Sequence, residues 1–518
     1  MQVASSEITM LLDLNSDVLI QIFEELRPHQ QLRALSQTCR YVRTHSLPVL
    51  FRKCRVRTRN PMNSVFLPTS LWPYVRFLQL VDGCPRKKLE EHRSRTDPYM
   101  YSLRYSDDPL LCGLLDAEVL RRSLPAMPRL NSISVRLECR EVHGIRDDVA
   151  AALLSAPQVR DVHIYLYLFC PRQSFPRDAL QDMSPLTSFR YEKNPFHYPP
   201  RFHPSEVDAV GLVVSQLHAT LEVLNLPIEA TPLDVMSRLD WPRLRHLTLY
   251  GDRPTRTSVP IIALLSRMPM LRVLILQFTI LPNMDRQCVW PLTWHMADPL
   301  PELEELTVTH PHTEDLLFSN LPRSIRRLSL SCAPRYSLQT WHPDDYSRWT
   351  SPLPSASELL GIMSKSSLPH LAFLDIEYGP DTHEARLLEY ISDAYPNLRS
   401  IELHRIEVPL IGSQDTAMVF IARELSRLTH LREMRLNPNL TYREGPDDPE
   451  KFEPWLRARL LTTAKKLAPV LGPSVAFFST LVPRYNSAEW LGYRIASTDA
   501  SERVVSASRE IREYVNFY

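Results

Sequence analysis

One short phrase, apolar-x-x-apolar-x-apolar, recurs twelve times along these 518 residues and restricts the folds open to the chain. It is clearest at Leu244/Leu247/Leu249, inside WPRLRHLTLY. Copies follow at Leu271/Leu274/Leu276, Leu303/Leu306/Val308, Ile325/Leu328/Leu330, Leu371/Leu374/Ile376, Leu398/Ile401/Leu403 and Leu431/Met434/Leu436. Toward the N-terminus it holds at Leu221/Leu224/Leu226, Leu186/Phe189/Tyr191, Val159/Val162/Ile164 and Leu130/Ile133/Val135, with a more distant copy at Val75/Leu78/Leu80. From Leu130 onward the copies fall about 30 residues apart, a spacing that marks stacked repeats.

The last two apolar positions of each copy are two residues apart, so both point to one face of a short strand. The first lies on the turn entering that strand. Most copies are introduced by a proline, which ends whatever helix precedes it. Helix-like runs fill the intervals: 147–156, 206–217, 258–267, 384–394 and 416–428. In EARLLEYIS, Leu387, Leu388 and Ile391 share one helical face. The expected fold class is therefore α/β, a curved solenoid with a parallel sheet on its concave side. Leu247, Leu249, Leu274, Leu276, Leu374 and Leu403 are expected in the core, with Thr248, Ile275 and Glu402 on the concave strand surface. The pattern resembles the leucine-rich repeat superfamily in its irregular form.

A chain this long exceeds one compact core, but a solenoid grows by stacking. Its net charge of +1 supplies no global field toward nucleic acid or an anionic membrane. A signal peptide and a membrane span are not expected, since no apolar run approaches the necessary length. Eight scattered cysteines without a C-x-x-C pair read as reduced thiols of an intracellular protein, cytoplasmic or nuclear. Eleven glycines against 45 prolines leave little material for a glycine-lined phosphate loop.

Residues 14–52 stand apart from the repeats. Asn15 or Ser16 can cap a helix with Asp17 in its first turn. Val18, Leu19, Ile22, Phe23 and Leu26 form an apolar stripe that Pro28 stops. A second helix is expected from Gln31 to Cys39, carrying Leu32 and Leu35, and a third from near Arg40 to a point before Pro48. Three helices in about 40 residues bury little core alone, so a surplus stripe suggests docking. The pattern from Leu14 through Asp17-Val18-Leu19, Ile22-Phe23 and Leu26, then Leu32, Leu35-Ser36 and Cys39-Arg40, then Leu50-Phe51, resembles an F-box. It departs from that family in having Asn15 where proline is usual and Phe51 where tryptophan is frequent. The resemblance, to F-box proteins with irregular leucine-rich repeats of the fungal type, implies several things. Leu14, Val18, Leu19, Ile22, Phe23, Leu26, Leu32 and Leu35 would bind a Skp-family adaptor. That adaptor would tie the chain to a cullin–RING ubiquitin ligase, and the solenoid would hold a protein target whose identity the sequence does not reveal.

The expected organisation is a tail (1–13), the helical domain (14–52), the solenoid (53–438) and a C-terminal cap (439–518). In the cap, AFFSTLV and EWLGYRI read as strands and SERVVSASREIREYV as a helix. FRKCRVRTRN (51–60) alternates Cys54 and Val56 with cations, as the solvated face of a capping strand does; an import signal or phosphate-contacting patch is the sharper reading. Charged residues 86–97 and the stretches 192–206, 285–299, 333–355 and 439–455 interrupt the repeats. The 333–355 insertion holds Trp341, Tyr346 and Trp349, residue types enriched at binding hot spots. It is either a target-recognition loop or a plug folded against its own repeats. Neither nucleophile elbow, H-E-x-x-H nor paired-cysteine zinc ladder is present. His310, His312 and Glu314 make a thin metal-ligand set, and His342 beside Asp344 and Asp345 lacks a nucleophile. The expectation is a non-enzyme without metal or cofactor.

Overall fold

The computed structural model describes residues 14–26, 29–58, 66–82, 111, 113–137, 144–173, 175, 182–193, 203–254, 259–295, 300–341, 346–407, 414–437, 449–484, 487–497 and 503–507. The tail 1–13, the insertion 86–97, and residues His342, Asp344 and Asp345 lie outside them. The chain divides into two compact units, Met1–Asn225 with Ala230–Pro232, and Leu226–Glu229 with Leu233–Tyr518.

The first unit opens with helices α1 (Ser16–Glu25), α2 (His29–Leu35) and α3 (Arg40–Leu50). A parallel sheet follows, built of β1 (Lys53–Thr58), β2 (Phe77–Asp82), β3 (Ser132–Leu137), β5 (Asp161–Tyr165), β7 (Ser188–Glu192) and, up to Asn225, the start of β8 (Val223–Pro227), in that spatial order. The short β4 (Gly144–Ile145) and β6 (Leu168–Phe169) pair separately. The second unit continues with β9 (His246–Asp252), β10 (Val273–Thr279), β11 (Glu305–Thr309), β12 (Arg327–Ser331), β13 (Phe373–Tyr378), β14 (Ser400–Arg405), β15 (Glu433–Asn437) and β16 (Phe477–Arg484), all parallel. Two antiparallel strands, β17 (Ser487–Ser497) and β18 (Arg503–Ala507), complete it.

Register follows the repeated phrase. Leu78, Ile133, Val162, Phe189 and Leu224 are successive partners in the first unit. In the second, Leu247, Leu274, Leu306, Leu328, Leu374, Ile401, Met434 and Phe478 form the equivalent row. Every apolar position of the twelve copies is buried, none more than 3% exposed. The introducing prolines have a second role: in Met127–Leu130, Met268–Leu271, Leu368–Leu371 and Tyr395–Leu398 the N–H of the first apolar residue closes a turn onto the carbonyl three residues earlier. Proline occupies the second position of each such turn, where its fixed φ suits the geometry.

The next residue makes the joint between repeats. The Arg76 carbonyl accepts from the N–H groups of both Asn131 (2.9 Å) and Ser132 (3.0 Å). Arg272 does the same for Glu304 and Glu305, Arg326 for Ala372 and Phe373, and Arg399 for Arg432 and Glu433. Each turn is thereby tied to the next at the point where the strands begin.

Helices occupy the expected intervals at Asp147–Leu154, Pro204–Leu217, Ile261–Leu265, Glu384–Ala394 and Gln414–Glu424. Several local expectations need correction. Helix α2 stops at Leu35 rather than Cys39, and the Cys39 side chain caps α3 by accepting from the Val42 N–H. Helix α3 runs through Pro48, since the burial of Val49 in the helical core holds its last turn in place. The segment expected to be helical near the C-terminus includes β18: Val504 and Val505 pair with Ala496 and Ile495, and an available strand edge outweighs local helix propensity. Thr248 and Glu402 lie on the strand face opposite the leucines as expected, yet both are buried by covering segments.

Removing one phrase leucine should cost far more than removing its exposed neighbour. Leu274→Ala is expected to destabilise by about 2–5 kcal/mol, and Arg272→Ala by about 0.5 kcal/mol or less; urea unfolding midpoints of the two variants measure the difference.

Candidate functional site

The helical unit sorts the apolar stripe into two sets. Asn15, rather than Ser16, caps α1 by accepting from the Val18 N–H at 2.9 Å. Leu19, Phe23, Leu32, Val42 and Val49 form the internal core, with Leu14, Ile20, Leu26, Leu35 and Leu50 packed partly buried against it. Val18 and Ile22, one turn apart on α1, remain 38% and 37% exposed. Tyr41 on α3, equally exposed, was not singled out by the sequence pattern. Its hydroxyl donates to the Leu14 carbonyl (3.1 Å), and its ring lies 4.3 Å from that of His45, which bonds Ser16 Oγ at 2.9 Å. These contacts fix Tyr41 beside the start of α1. Among the described residues the other large exposed apolar side chains are Val235 and Leu292, so three of the five fall on this small unit.

The aromatics of the 333–355 insertion have a different position. Trp341, Tyr346 and Trp349 are only 8%, 3% and 6% exposed. They pack with Leu338, Leu481, Ala488 and Trp490, joining the insertion to β16 and β17. Trp349 donates its indole N–H to Asp252 at 2.7 Å, Arg348 pairs with the same carboxylate, and the Thr350 N–H donates to the Ile280 carbonyl. Surface buried in this way is not offered to a target, so the geometry is that of the plug and not of a recognition loop.

The insertion also buries charge. Arg335 forms a bidentate pair with Asp375 (2.6 and 3.1 Å) and lies 3.5 Å from Glu402 and 3.9 Å from Glu377. Burial alone would lower the Arg335 pKa; Asp375, Glu402 and Glu377 outweigh it and hold the guanidinium charged. At Asp375 burial is the largest influence and raises the pKa, but Arg335, His404 and the Ser329 hydrogen bond together outweigh it and the pKa falls, whereas at Glu377 burial prevails and the pKa rises. Glu377 accepts from the backbone N–H groups of Cys332 and Tyr336. Asp375, Glu402 and His404 approach one another closely enough to hold a metal ion. The Arg335 guanidinium, however, already supplies the positive charge at these carboxylates.

The His310, His312 and Glu314 set does not converge. His310 Nε2 meets the Ala333 backbone, accepting from its N–H or donating to its carbonyl according to tautomer. His312 Nδ1 accepts the Glu314 N–H and lies 3.5 Å from Cys288 Sγ. Burial, reinforced by Asp315, pushes the Cys288 thiol up to about 11, which keeps it protonated and poorly nucleophilic. Burial pushes His310 down to about 4, with Arg286 and Arg253 adding to the shift against the Ala333 hydrogen bond.

Two outcomes follow. Trp349→Ala should destabilise the second unit by about 3–5 kcal/mol, read as a lower thermal midpoint. For His310, the unfolded chain binds its proton near the ordinary value of 6.5 and the folded chain only near 4. Its contribution is therefore complete above 6.5 and lost as pH falls toward 4, amounting to about 3 kcal/mol. His310→Asn should flatten that part of the stability profile, because Asn tolerates the positive φ of 52° at this position; denaturant midpoints across the window measure it.

No family model and no curated protein matches this chain. Among the described residues, no helix is long and apolar enough to cross a membrane. Among solved structures, the chain is similar to one in a crystal structure of a TLR13–ssRNA13 complex, at 12% identity and TM-score 0.30, covering 76% of this chain and 55% of that one. This chain thus spans about half the length of that neighbour. A second similarity is to a chain in a crystal structure of Rad7 and Elc1 from yeast, at 12% identity and TM-score 0.24, covering 79% of this chain and 94% of that one.

Proposed function

We propose that this protein is the substrate-recognition subunit of an SCF-type ubiquitin ligase, in which Skp-family adaptor, cullin and F-box protein assemble. Helices α1–α3 dock on the adaptor, and the repeats hold a protein target. The chain makes no bonds itself; it raises the effective concentration of target lysines near a ubiquitin-loaded enzyme.

The observation that carries this reading is the exposure of Val18, Ile22 and Tyr41 on a helical unit that already has its own core in Leu19, Phe23, Leu32, Val42 and Val49. The F-box-like spacing from Leu14 to Phe51 supplies the identity of the partner. Leu19, Phe23 and Leu32 support that surface from within, and Leu14, Leu26 and Leu35 border it.

The division between core and surface selects the test. Phe23→Asp would place a carboxylate in the helical core and unfold it, so loss of binding would carry no information. Val18→Asp with Ile22→Asp alters only exposed positions. Each forfeits about 1.5–3 kcal/mol of burial on docking, a loss of about a hundredfold or more for the pair. Co-purification with the Skp-family adaptor and cullin should fail for this double variant while its circular dichroism and melting match the parent. Undiminished capture refutes the assignment, and a parent protein that captures neither partner identifies a repeat scaffold without ligase coupling.

A further inference from the structure

The two units treat the strand face opposite their leucines differently. In the second, Asp375, Glu377, Glu402 and His404 on that face are buried. In the first, Lys53 on β1, Arg136 on β3 and Arg190 on β7 are exposed on it, together with Arg55 and Arg57. We propose that this face of the first unit is a docking surface for an acidic segment of a partner protein, one whose charge comes from aspartate and glutamate side chains.

Three observations support it. Lys53 lies 5.5 Å from the centre of the Phe77 ring and Arg136 lies 5.0 Å from that of Tyr165. These contacts hold the cations over the sheet without cancelling their charge. The carboxylates on the same face each bond within it through one oxygen: Asp161 Oδ2 accepts from Ser132 Oγ at 2.6 Å, and Glu192 Oε1 accepts from Asn225 at 3.0 Å and lies 3.3 Å from His163. Lys53, Arg136 and Arg190 have no carboxylate partner among the described residues, so at these three positions the face carries positive charge that no described acid pairs with. The cationic surface continues past Phe77 into a depression lined by Arg52, Arg76, Arg129 and Asn131.

Spacing indicates what would fit. Strands β1 and β3, and β3 and β7, are each two strands apart; Arg136 also lies four residues along from the level of Lys53 and two from that of Arg190, so the neighbouring cations are about 16 Å and about 12 Å apart at their backbones. A single phosphoryl group would reach only one of them. An extended peptide crossing the strands advances about 10 Å in three residues, so carboxylates repeated at every third position come within reach of several of these long side chains at once. Half-buried Gln79 and Ser134, between these cations, offer hydrogen bonds to a peptide backbone. The continuous phosphate track of a nucleic acid would meet Asp161 and Glu192, whereas spaced carboxylates avoid them.

The test uses the full chain and needs no adaptor, so its outcome is separable from that of the ligase reading. The probe is a fluorescently labelled peptide of four Glu-Ser-Gly repeats, followed by anisotropy at about 50 mM salt, where screening is weak. The parent should bind, with affinity falling as salt rises. Arg136→Glu with Arg190→Glu should weaken binding about tenfold or more, and the milder Arg136→Gln with Arg190→Gln should weaken it less while melting as the parent does. Arg238→Glu with Arg243→Glu, exposed in the second unit, makes the same charge change and should leave binding within about twofold. The proposal is overturned by a parent that does not bind, or by equal losses in the face and control variants. It is equally overturned if a peptide with one phosphoserine and no glutamate binds more tightly, or if a single-stranded RNA of equal length displaces the probe better than unlabelled peptide does.

Discussion

The carbonyl after the first apolar residue of a repeat is, within each unit, the joint on which the sheet depends. A turn residue such as Arg76, Arg272 or Arg326 accepts two N–H groups from the following repeat. One of those N–H groups precedes the strand and the other belongs to its first residue, and an unmet backbone donor there would be costly. Satisfying both with one carbonyl fixes the register of the next strand through the backbone alone. The leucines at the second and third phrase positions then fall into line by geometry, which is why whole rows such as Leu247 to Phe478 are partners without exception.

With backbone and core handled by the phrase, the intervals are free to differ. Between β9 and β10 a five-residue helix suffices; between β13 and β14 the helix is eleven residues long; between β11 and β12 there is only a short 3-10 turn. The interval between β12 and β13 supplies cover instead of a simple return. It sends Arg335 to Asp375, and Trp341, Tyr346 and Trp349 into an aromatic cluster with Trp490. Such an insertion closes one strand face, whereas in the first unit Lys53, Arg136 and Arg190 on the equivalent face are exposed.

The helical unit illustrates how burial divides a motif that looks uniform in sequence. Val18 and Leu19 are adjacent, as are Ile22 and Phe23, yet one of each pair faces solvent and the other lies in the core. The decision rests on where α3 lies, since Val42 and Val49 cover Leu19 and Phe23 but not their neighbours. Tyr41 joins the exposed set only because α3 brings it beside Leu14, 27 residues away in the chain.

The repeat architecture was legible in the chain alone because it is written in local periods: two residues for the strand, proline for the turn, and about 30 residues for the unit. Each of these is a short-range steric or solvation constraint. The same holds for the helix capped by Asn15 and for the leucines at Leu274 or Leu374. Contacts between distant segments were not legible. Whether the insertion tryptophans met a target or Asp252 and Trp490 depended on residues separated by about a hundred positions or more, and no local pattern encodes that pairing. The fate of residues 503–507 turned on a free strand edge at β17, and the split between Ile22 and Phe23 on the seat of α3. Local chemistry determined which elements form; only the tertiary structure decided which of their faces stayed exposed, because burial belongs to the assembled pair of surfaces and not to either segment.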